Sequence, residues 1–250
     1  MLRAIGFDVG DTLLFYADTP LDWSSHYGAA LATVARTCNV SPSPSEFSAA
    51  CQTLSHYNTR VRPRTHEVAA DEIFSLILSA WSLPAAEYLQ VAVDSFFTFF
   101  QQQMSAFPET LGVLRTLSAA GLRLGALTDV PYGMPMKFVQ RDIDRAQVSV
   151  FMRTVITSSV VGVRKPEVAG YHALAASLGV DPDEMLYVGN EPKDVIGAQR
   201  AGVLSAFVDR TGVALDYGQS FTIQSLAALP DICAPRSNQA MQPTAGRPCA

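Results

Sequence analysis

The chain has 250 residues and a formal net charge of −5, with 48% hydrophobic and 16% charged side chains. This length suits one or two folded domains, and no basic stretch is dense enough to follow a phosphate backbone, which argues against a nucleic-acid partner and favours a small molecule. No apolar run approaches the ~20 residues of a membrane span, and the N-terminal run does not have the form of a secretory leader. The four cysteines form no CxxC pair. We therefore expect a cytoplasmic protein with no membrane partner, no structural zinc and no disulfides.

The first predicted element is a strand that ends at Asp8. Residues 4–14 read Ala-Ile-Gly-Phe-Asp-Val-Gly-Asp-Thr-Leu-Leu, an apolar run that leads into a glycine-containing turn. Ligands of open α/β sheets bind at the carboxyl ends of the strands, which makes Asp8 a candidate site residue. From this segment alone, a turn-forming Asp beside a glycine is an equally good interpretation.

Four helical stretches follow and run to about Phe107, with no clear strand among them. Apolar side chains recur at helical spacing in the first, third and fourth, and the second runs from Ser45, as its N-cap, to about Asn58. This pattern predicts a small helical bundle that is inserted into the chain as a unit. The apolar positions are Tyr27, Leu31, Val34 and Cys38; Phe74, Ile77, Leu78 and Trp81; and Leu89, Val93, Phe96 and Phe100.

After Pro108 the pattern changes to alternating strands and helices, which is typical of an α/β protein with a doubly wound parallel sheet. The first strand then belongs to a sheet whose other strands follow the helical insert, so we expect a two-part molecule with a cleft. Residues 1–15 and 106–232 would form the core, residues 16–105 a helical cap, and residues 233–250 a disordered tail. The predicted strands are 122–127, 153–157, 185–188 and 204–208, with helices after Pro131 and over 167–178 and 192–201.

Polar side chains of different kinds follow the later strands. Thr128 and Asp129 follow one strand, Lys165 precedes a helix, and the segment 189–194 follows another strand. A carboxylate, a hydroxyl, an amine and further oxygen ligands are the groups that phosphoryl transfer through an aspartyl intermediate requires. Taken singly, each has an ordinary interpretation, such as a helix cap or a solvated surface charge.

Together these segments resemble the haloacid dehalogenase-like hydrolase superfamily over nearly all of residues 2–210. Its members carry an Asp nucleophile after strand one, a Ser or Thr after strand two, a Lys before the next helix and an acidic segment after strand four. Asp8, Thr128, Lys165 and the segment 189–194 match this order. The resemblance implies a Rossmann-like sheet of order 5-4-1-2-3 and the subgroup that has a helical cap between its first two motifs.

The resemblance also implies roles for these residues. Asp8 would attack phosphorus, Thr128 and the backbone after it would bind the transferring oxygens, and Lys165 would supply positive charge. The cofactor would be Mg²⁺, which prefers oxygen ligands. Its ligands would be Asp8, the carbonyl of Gly10, Asp194 and Asn190.

Two positions depart from the family pattern. The usual second Asp of the first motif, which serves as general acid and base, is replaced by Gly10, and Asp11 follows where the family usually has glycine. Asp11 would replace the missing group only if the turn were rebuilt, so we expect better turnover of substrates with acidic leaving groups. Asn190 stands where an Asp is common, which implies weaker binding of Mg²⁺.

The segment 57–64 is the most basic part of the predicted cap. Because arginine binds carboxylates and phosphates bidentately, this segment is a candidate for substrate binding, although a solvated loop between helices is the slightly favoured interpretation. The candidate substrate-binding residues are Asn58, Arg60, Arg62, Arg64 and, after the second motif, Asp129.

The leading hypothesis is a Mg²⁺-dependent phosphatase that acts on a small phosphorylated metabolite. A metal-free 2-haloacid dehalogenase is the second interpretation, which the missing second Asp supports weakly. A catalytically impaired member that binds a ligand or a protein partner is the third.

Overall fold

Strand β1 (Ala4–Phe7) lies in the middle of a six-stranded parallel sheet in the computed structural model, which describes residues 1–17, 19–102 and 104–234. It pairs with β4 (Arg123–Thr128) on one side and with β6 (Met185–Gly189) on the other, so the direction in which the chain winds through the sheet changes at this strand. This confirms the predicted α/β fold. The strands are β4 (Arg123–Thr128), β5 (Met152–Thr157), β6 (Met185–Gly189), β7 (Leu204–Val208) and β8 (Phe221–Ile223), in the spatial order β5-β4-β1-β6-β7-β8.

With β1, β4, β5, β6 and β7 counted as strands 1 to 5 of the parallel sheet, the observed order contains the expected 5-4-1-2-3 arrangement. β8 extends it by one edge strand. β8 pairs with β7 through only three residues and follows a polar loop, so its pattern is too short to show the two-residue period of a strand. A second small sheet was also missed. It pairs β2 (Leu14–Tyr16) with β3 (Met104–Ala106) in antiparallel fashion, at the two points where the chain enters and leaves the helical segment.

Helices cover both faces of the parallel sheet. Buried aliphatic side chains of β1, β4 and β6 alternate between two apolar clusters, one on each face. The tail predicted over residues 233–250 lies outside the described residues from 235 onward. The helices of this part are α5 (Thr110–Ala119), α6 (Met136–Arg145), α7 (Ser158–Val161), α8 (Val168–Leu178), α9 (Pro192–Arg200) and α10 (Leu229–Cys233). α5 was not predicted.

The four predicted helices of the insert are present. The N-cap of α2 (Pro44–Tyr57) lies two residues earlier than expected, because Ser43 rather than Ser45 caps this helix and forms a capping box with Glu46. Aromatic side chains of α3 and α4 fill the centre of the bundle, where Phe74, Phe96 and Phe97 contact one another. The helices are α1 (Tyr27–Thr37), α2 (Pro44–Tyr57), α3 (Ala70–Ala80) and α4 (Ala85–Phe100).

Within the described residues, no single helix is long and apolar enough to cross a membrane. One pair, α3 and α4, reaches that length and composition only when the two are counted together, across a bend of 113°.

The bundle and the sheet share one apolar cluster. Val130, Tyr132 and Phe138, which follow β4, are buried in the same cluster as the helices of the insert. The backbones of the two parts also approach closely at Gly133, which has a φ of 63°. A Cβ atom there would lie 2.0 Å from the carbonyl oxygen of Val68, so only glycine fits between these two backbones.

We predict that Gly133→Ala destabilises the protein by at least about 2 kcal/mol more than Gly121→Ala. Both glycines have a positive φ, which alone costs about 1–2 kcal/mol for an L-residue, but a Cβ at Gly121 meets nothing within 4 Å. Urea-induced unfolding of both variants measures the difference. Equal free energies of unfolding would show that the two parts do not approach closely at Gly133.

Candidate active site

The predicted site residues lie together at the carboxyl edge of the parallel sheet. Asp8 follows β1, and its backbone N–H donates to the carbonyl of Val188 at 2.9 Å, which continues the pairing of β1 with β6. Thr128 is the last residue of β4, on the other side of β1. Asp194 lies in the first turn of α9, directly after β6. The site is therefore at the point where the chain winding changes direction, as expected for an open α/β sheet.

The ammonium group of Lys165 connects the two carboxylates. Its Nζ lies 2.7 Å from Oδ1 of Asp8 and 2.6 Å from Oδ1 of Asp194, and it donates to the hydroxyl of Tyr187 at 3.1 Å. All three charged side chains are buried, with Asp194 only 1% exposed. Such a buried arrangement tolerates the loss of water only because each charge has an opposite charge beside it.

Burial and pairing have opposite effects on the ionisation of this cluster. Burial opposes a charge on Lys165, but Asp194 and Asp8 outweigh it and hold the pKa of that ammonium well above its usual value. Burial raises the pKa of Asp8 to about 6, against the charge of Lys165 and with the help of the charge of Asp194. Asp8 is therefore ionised at neutral pH, as a nucleophile must be.

Three residues in or after β6 fix the positions of these groups, and sequence reasoning missed their roles. Tyr187, inside β6, donates its hydroxyl to the carbonyl of Leu127 at 2.6 Å while it accepts from Lys165. The second oxygen of Asp194 accepts from the backbone N–H of Glu191 at 2.9 Å. A Cβ at Gly189 would lie 2.4 Å from the carboxyl group of Asp194, so glycine is required there.

The side chains of Thr128 and Asp129 differ in whether they are free to bind a ligand. The hydroxyl of Thr128 makes only a long contact of 3.4 Å with the carbonyl of Asp129, which leaves it able to bind a ligand. The carboxylate of Asp129 accepts from the backbone N–H of Lys165 at 3.0 Å and pairs with Lys193 at 3.0 Å. Burial opposes its ionisation, but the charges of Lys165 and Lys193 lower its pKa. Asp129 therefore holds other site residues in place.

The first-motif turn keeps a conformation that suits glycine at position 11. Asp11 has a φ of 56°, in the left-handed region, whereas Gly10 is not in that region and a Cβ there would meet nothing within 4 Å. Asp11 lines the cavity in front of Asp8, and burial, assisted by Glu191, raises its pKa. The turn has thus not been rebuilt around the shifted Asp.

The metal ligands implied by the sequence are oxygen donors near Asp8. Asn190 lines the cavity, and its Oδ1 accepts from the hydroxyl of Thr12 at 3.0 Å. Within the part of the chain that the structure describes, no group of three or more His, Cys, Asp or Glu side chains is arranged to hold a metal ion. The donors present, two carboxylates, an amide and the carbonyl of Gly10, nevertheless have the hard oxygen chemistry that suits Mg²⁺.

A cavity of about 150 Å³ lies between the sheet and the helical bundle. Its lining contains five acidic and three basic side chains, and each of the three basic groups forms an ion pair. Arg60 from the bundle pairs with Glu191 across the cavity. Burial opposes ionisation of Glu191, but the hydrogen bond from Arg60 and the charge of Lys193 lower its pKa to about 2. The acidic side chains are Asp8, Asp11, Asp129, Asp142 and Glu191, and the basic ones are Arg60, Arg164 and Lys193.

The structure brings only part of the basic segment to this cavity. Asn58 and Arg60 line it, but Asn58 is buried and donates to Asp22 and Tyr27, which makes it a support of the loop. Arg62 is exposed and contacts His56, and Arg64 donates to the carbonyl of Tyr57 and pairs with Glu67. Neither Arg62 nor Arg64 lines the cavity, so the structure does not bring these two arginines to the site, and their binding of substrate stays a prediction.

One buried ion pair between the two parts of the molecule gave no sequence signal. Arg164, next to Lys165, pairs with Glu67 at 2.5 Å and also donates to the carbonyl of Val130 at 2.6 Å. The partners are 97 residues apart, and Glu67 lies in a loop of the helical segment that has no motif. Arg164 stands in the Arg-Lys-Pro triplet at the third motif, which is the only feature that marked its position.

Comparison with known proteins gives the family. A family model described as haloacid dehalogenase-like hydrolase matches residues 2–202. The chain belongs to the haloacid dehalogenase-like hydrolases. It is therefore a hydrolytic enzyme by family, as the order of its motifs indicates.

Two curated relatives of this hydrolase are named as phosphatases. The glyceraldehyde 3-phosphate phosphatase of Methanopyrus kandleri is 27% identical over 211 residues, which cover 84% of this chain and 85% of that protein. The phosphoglycolate phosphatase of Rhodospirillum rubrum is 36% identical over 126 residues, which cover 50% of this chain and 48% of that protein.

Solved structures of both activity classes share the fold of this hydrolase. A 2-haloacid dehalogenase from Pseudomonas syringae pv. Tomato DC3000 has a TM-score of 0.66 at 23% identity, over 93% of this chain and 98% of that one. A phosphatase of the family from Thermococcus onnurineus has a TM-score of 0.63 at 21% identity, over 92% of this chain and 97% of that one. At such identities these similarities show the fold alone.

We predict that Lys165→Met destabilises the hydrolase by about 3–5 kcal/mol near neutral pH, because it leaves two carboxylates buried without their shared cation. Burial already raises the pKa of Asp8, so its ionisation costs folding free energy as the pH rises. The loss of stability is therefore largest at neutral pH and shrinks on acidification.

Urea-induced unfolding between about pH 5 and about pH 8, with a chelator present, measures this dependence. Lys193→Met is the matched control, because the Lys193 side chain is 25% exposed and its loss costs less. A pH-independent loss of stability in Lys165→Met would contradict the shared-cation arrangement.

Proposed function

We propose that this hydrolase is a Mg²⁺-dependent phosphatase of small phosphorylated metabolites, with Asp8 as nucleophile. The observation that carries the proposal is the contact of one buried ammonium, Lys165, with both Asp8 and Asp194 at the edge of the cavity. The names of the two curated relatives support the same reaction class.

In the proposed reaction, a carboxylate oxygen of Asp8 attacks phosphorus, the bond from phosphorus to the ester oxygen breaks, and the alkoxide leaves and takes a proton from solvent, which forms an acyl phosphate on Asp8. Water then attacks the phosphorus, so that inorganic phosphate leaves and the carboxylate is restored. The hydroxyl of Thr128 donates to a transferring oxygen, and Lys165 holds one oxygen of Asp8 so that the other is presented to the substrate. The helical segment, residues 16–105, covers the cavity and acts as a cap that excludes water.

The cavity charge supports a bound divalent cation. Its lining has five acidic and three basic side chains, and a phosphate ester would add further negative charge. Asp8, Asn190, Asp194 and the carbonyl of Gly10 would hold Mg²⁺, which would offset the repulsion between nucleophile and phosphate. Asn190 in place of a carboxylate makes this binding weaker.

The general acid is the incomplete part of the site. Gly10 has no side chain, and Glu191 is held ionised by Arg60 and Lys193, so it cannot donate a proton at neutral pH. Asp11 lines the cavity from a turn that keeps the shape suited to glycine. Substrates whose leaving group needs no protonation, such as acyl and nitrophenyl phosphates, should therefore be turned over best.

The competing activity is metal-free dehalogenation of a 2-haloacid, which the absence of an Asp at position 10 favours weakly. A carboxylate substrate bound without a metal would meet a lining with more acidic than basic groups, and its three basic groups are already paired. The charge therefore favours the phosphatase. A binding protein without activity is less favoured, because Asp8, Thr128 and Lys165 are all in place.

We predict that Asp8→Asn lowers Mg²⁺-dependent hydrolysis of acetyl phosphate and nitrophenyl phosphate by at least about a thousandfold, because it removes the nucleophile. Asp183→Asn, the same change at an exposed position before β6, keeps full activity. A continuous phosphate-release assay with and without a chelator measures both.

Three outcomes are distinguished by this assay. Metal-dependent phosphate release that is lost only in Asp8→Asn supports the proposal. Halide release from a 2-haloacid without metal would replace it by dehalogenation, and tight ligand binding without any turnover would replace it by a binding role.

We predict that the double variant Gly10→Asp/Asp11→Gly increases hydrolysis of alkyl phosphates by about a hundredfold or more, and that of nitrophenyl phosphate much less. The space beside Gly10 accepts a carboxylate, and the left-handed backbone at Asp11 accepts glycine without strain. Rates across a series of leaving groups measure the change, with Asp11→Gly alone as the control. A wild-type rate that is independent of the leaving-group pKa would contradict the missing acid.

A further inference from the structure

One of the five carboxylates that line the cavity lies outside all the family motifs. Asp142, in α6, is 3% exposed and lines the cavity. Its Oδ2 accepts from the hydroxyl of Tyr16 at 2.6 Å, whereas its Oδ1 has no hydrogen-bond partner among the described residues. A buried oxygen without a donor is costly, and a ligand that donates to it would recover that free energy.

The basic residues near Asp142 do not neutralise it. Arg141 and Arg145 lie on the same helix but are exposed, and Arg141 donates to Gln101 and Thr98 instead. Asp142 forms no ion pair within the described ranges. Burial raises the pKa of Asp142, and the hydrogen bond from Tyr16, the side chain of Gln101 and the charges of Arg145 and Arg141 oppose this without reversing it. A cation in the cavity would stabilise its charged form.

The wall beside this carboxylate is aromatic. Trp23 stacks on Phe100 with ring centroids 3.8 Å apart, and the centroid of Tyr132 lies 5.7 Å from that of Trp23. All three residues line the same cavity as Asp142. Aromatic faces attract alkylammonium groups, so the wall and the carboxylate favour the same kind of ligand.

A negatively charged group on the substrate would find no unpaired cation among the described residues that line the cavity. Arg60, Arg164 and Lys193 line the cavity, but each is paired with a carboxylate of this chain. A substrate with a carboxylate next to its phosphate ester would have to compete for one of these cations. The charges therefore select a positively charged alcohol over a negatively charged one.

We propose that Asp142 binds a protonated amine on the alcohol portion of the substrate, so that small aminoalkyl phosphates are preferred over other alkyl phosphates of the same length. This inference rests on the phosphatase function proposed above. The amine donates to the carboxylate of Asp142 while the phosphate lies at Asp8, since both residues line the same cavity.

The test compares kcat/KM for a homologous series of ω-aminoalkyl phosphates with that for hydroxyalkyl and carboxyalkyl phosphates of equal length. We expect the best amine to exceed its hydroxyl analogue by at least about tenfold in the wild type, as a hydrogen bond between charged groups supplies. Asp142→Asn reduces this ratio to near unity through KM. Tyr16→Phe keeps the ratio, because it removes a hydrogen bond to Asp142 but not the carboxylate.

Binding to the Asp8→Asn protein provides a readout without turnover. Calorimetry should show that the amine binds at least about tenfold more tightly than the hydroxyl analogue, and that adding Asp142→Asn removes the difference. An amine-to-hydroxyl ratio near unity in the wild type, a ratio retained in Asp142→Asn, or a preference for the carboxyalkyl ester would overturn the assignment of Asp142.

The two proposals fail in different ways. If all classes of ester are hydrolysed equally in an Asp8-dependent manner, the phosphatase function stands and the assignment of Asp142 is wrong. If no phosphate ester is hydrolysed, the phosphatase function is wrong and the substrate assignment falls with it.

Discussion

The contact of the Lys165 ammonium with Asp8 and Asp194 is the interaction on which the rest of the site depends. It joins Asp8, which follows β1, to Lys165, which precedes α8, and to Asp194 in the first turn of α9, and all three side chains are buried. Two carboxylates this close and this buried require a cation between them. Tyr187, Gly189 and the backbone of Glu191 then restrict the geometry to one arrangement.

The backbone of the first-motif turn explains how the chain keeps the family geometry with altered chemistry. Asp11 occupies the left-handed position that suits glycine, and Gly10 occupies a position with room for a side chain. The fold of the turn is therefore maintained by a residue that tolerates this backbone less well than glycine does. Asp8 thus keeps its carboxylate while position 10 carries none, and the other carboxylate of the turn stands at Asp11 instead.

The parts of the site that depend on parallel strand ends could be predicted from the sequence. Asp8, Thr128 and Asp194 follow buried strands whose carboxyl ends must share one edge of the sheet, so their proximity follows from the topology. Arg62 and Arg64 do not line the cavity, because a basic loop can pair with its own backbone and acids, and the sequence does not show where such a loop points. The charges of a loop have no repeating spacing that shows which way its side chains face, whereas the side chains of strands and helices do.

Contacts between the helical segment and the rest of the chain could not be predicted either. Glu67 and Arg164 meet across 97 residues, and Asp142 lies in the polar stretch Arg-Asp-Ile-Asp-Arg, which is typical of an exposed helix face. Only the packing of the helical segment on the sheet buries these groups. The short strand β8 was missed for a different reason, because three residues contain too little of a repeating pattern.

The most direct test of the account is the mass of the peptide that contains Asp8 after a single turnover quenched in acid. With acetyl phosphate and Mg²⁺ in stoichiometric amounts, we predict one phosphoryl group on Asp8 in the wild type and none in Asp8→Asn. Phosphate release without any phosphoryl group on Asp8, or with the group on another residue, would contradict the role of Asp8 as the nucleophile held by Lys165.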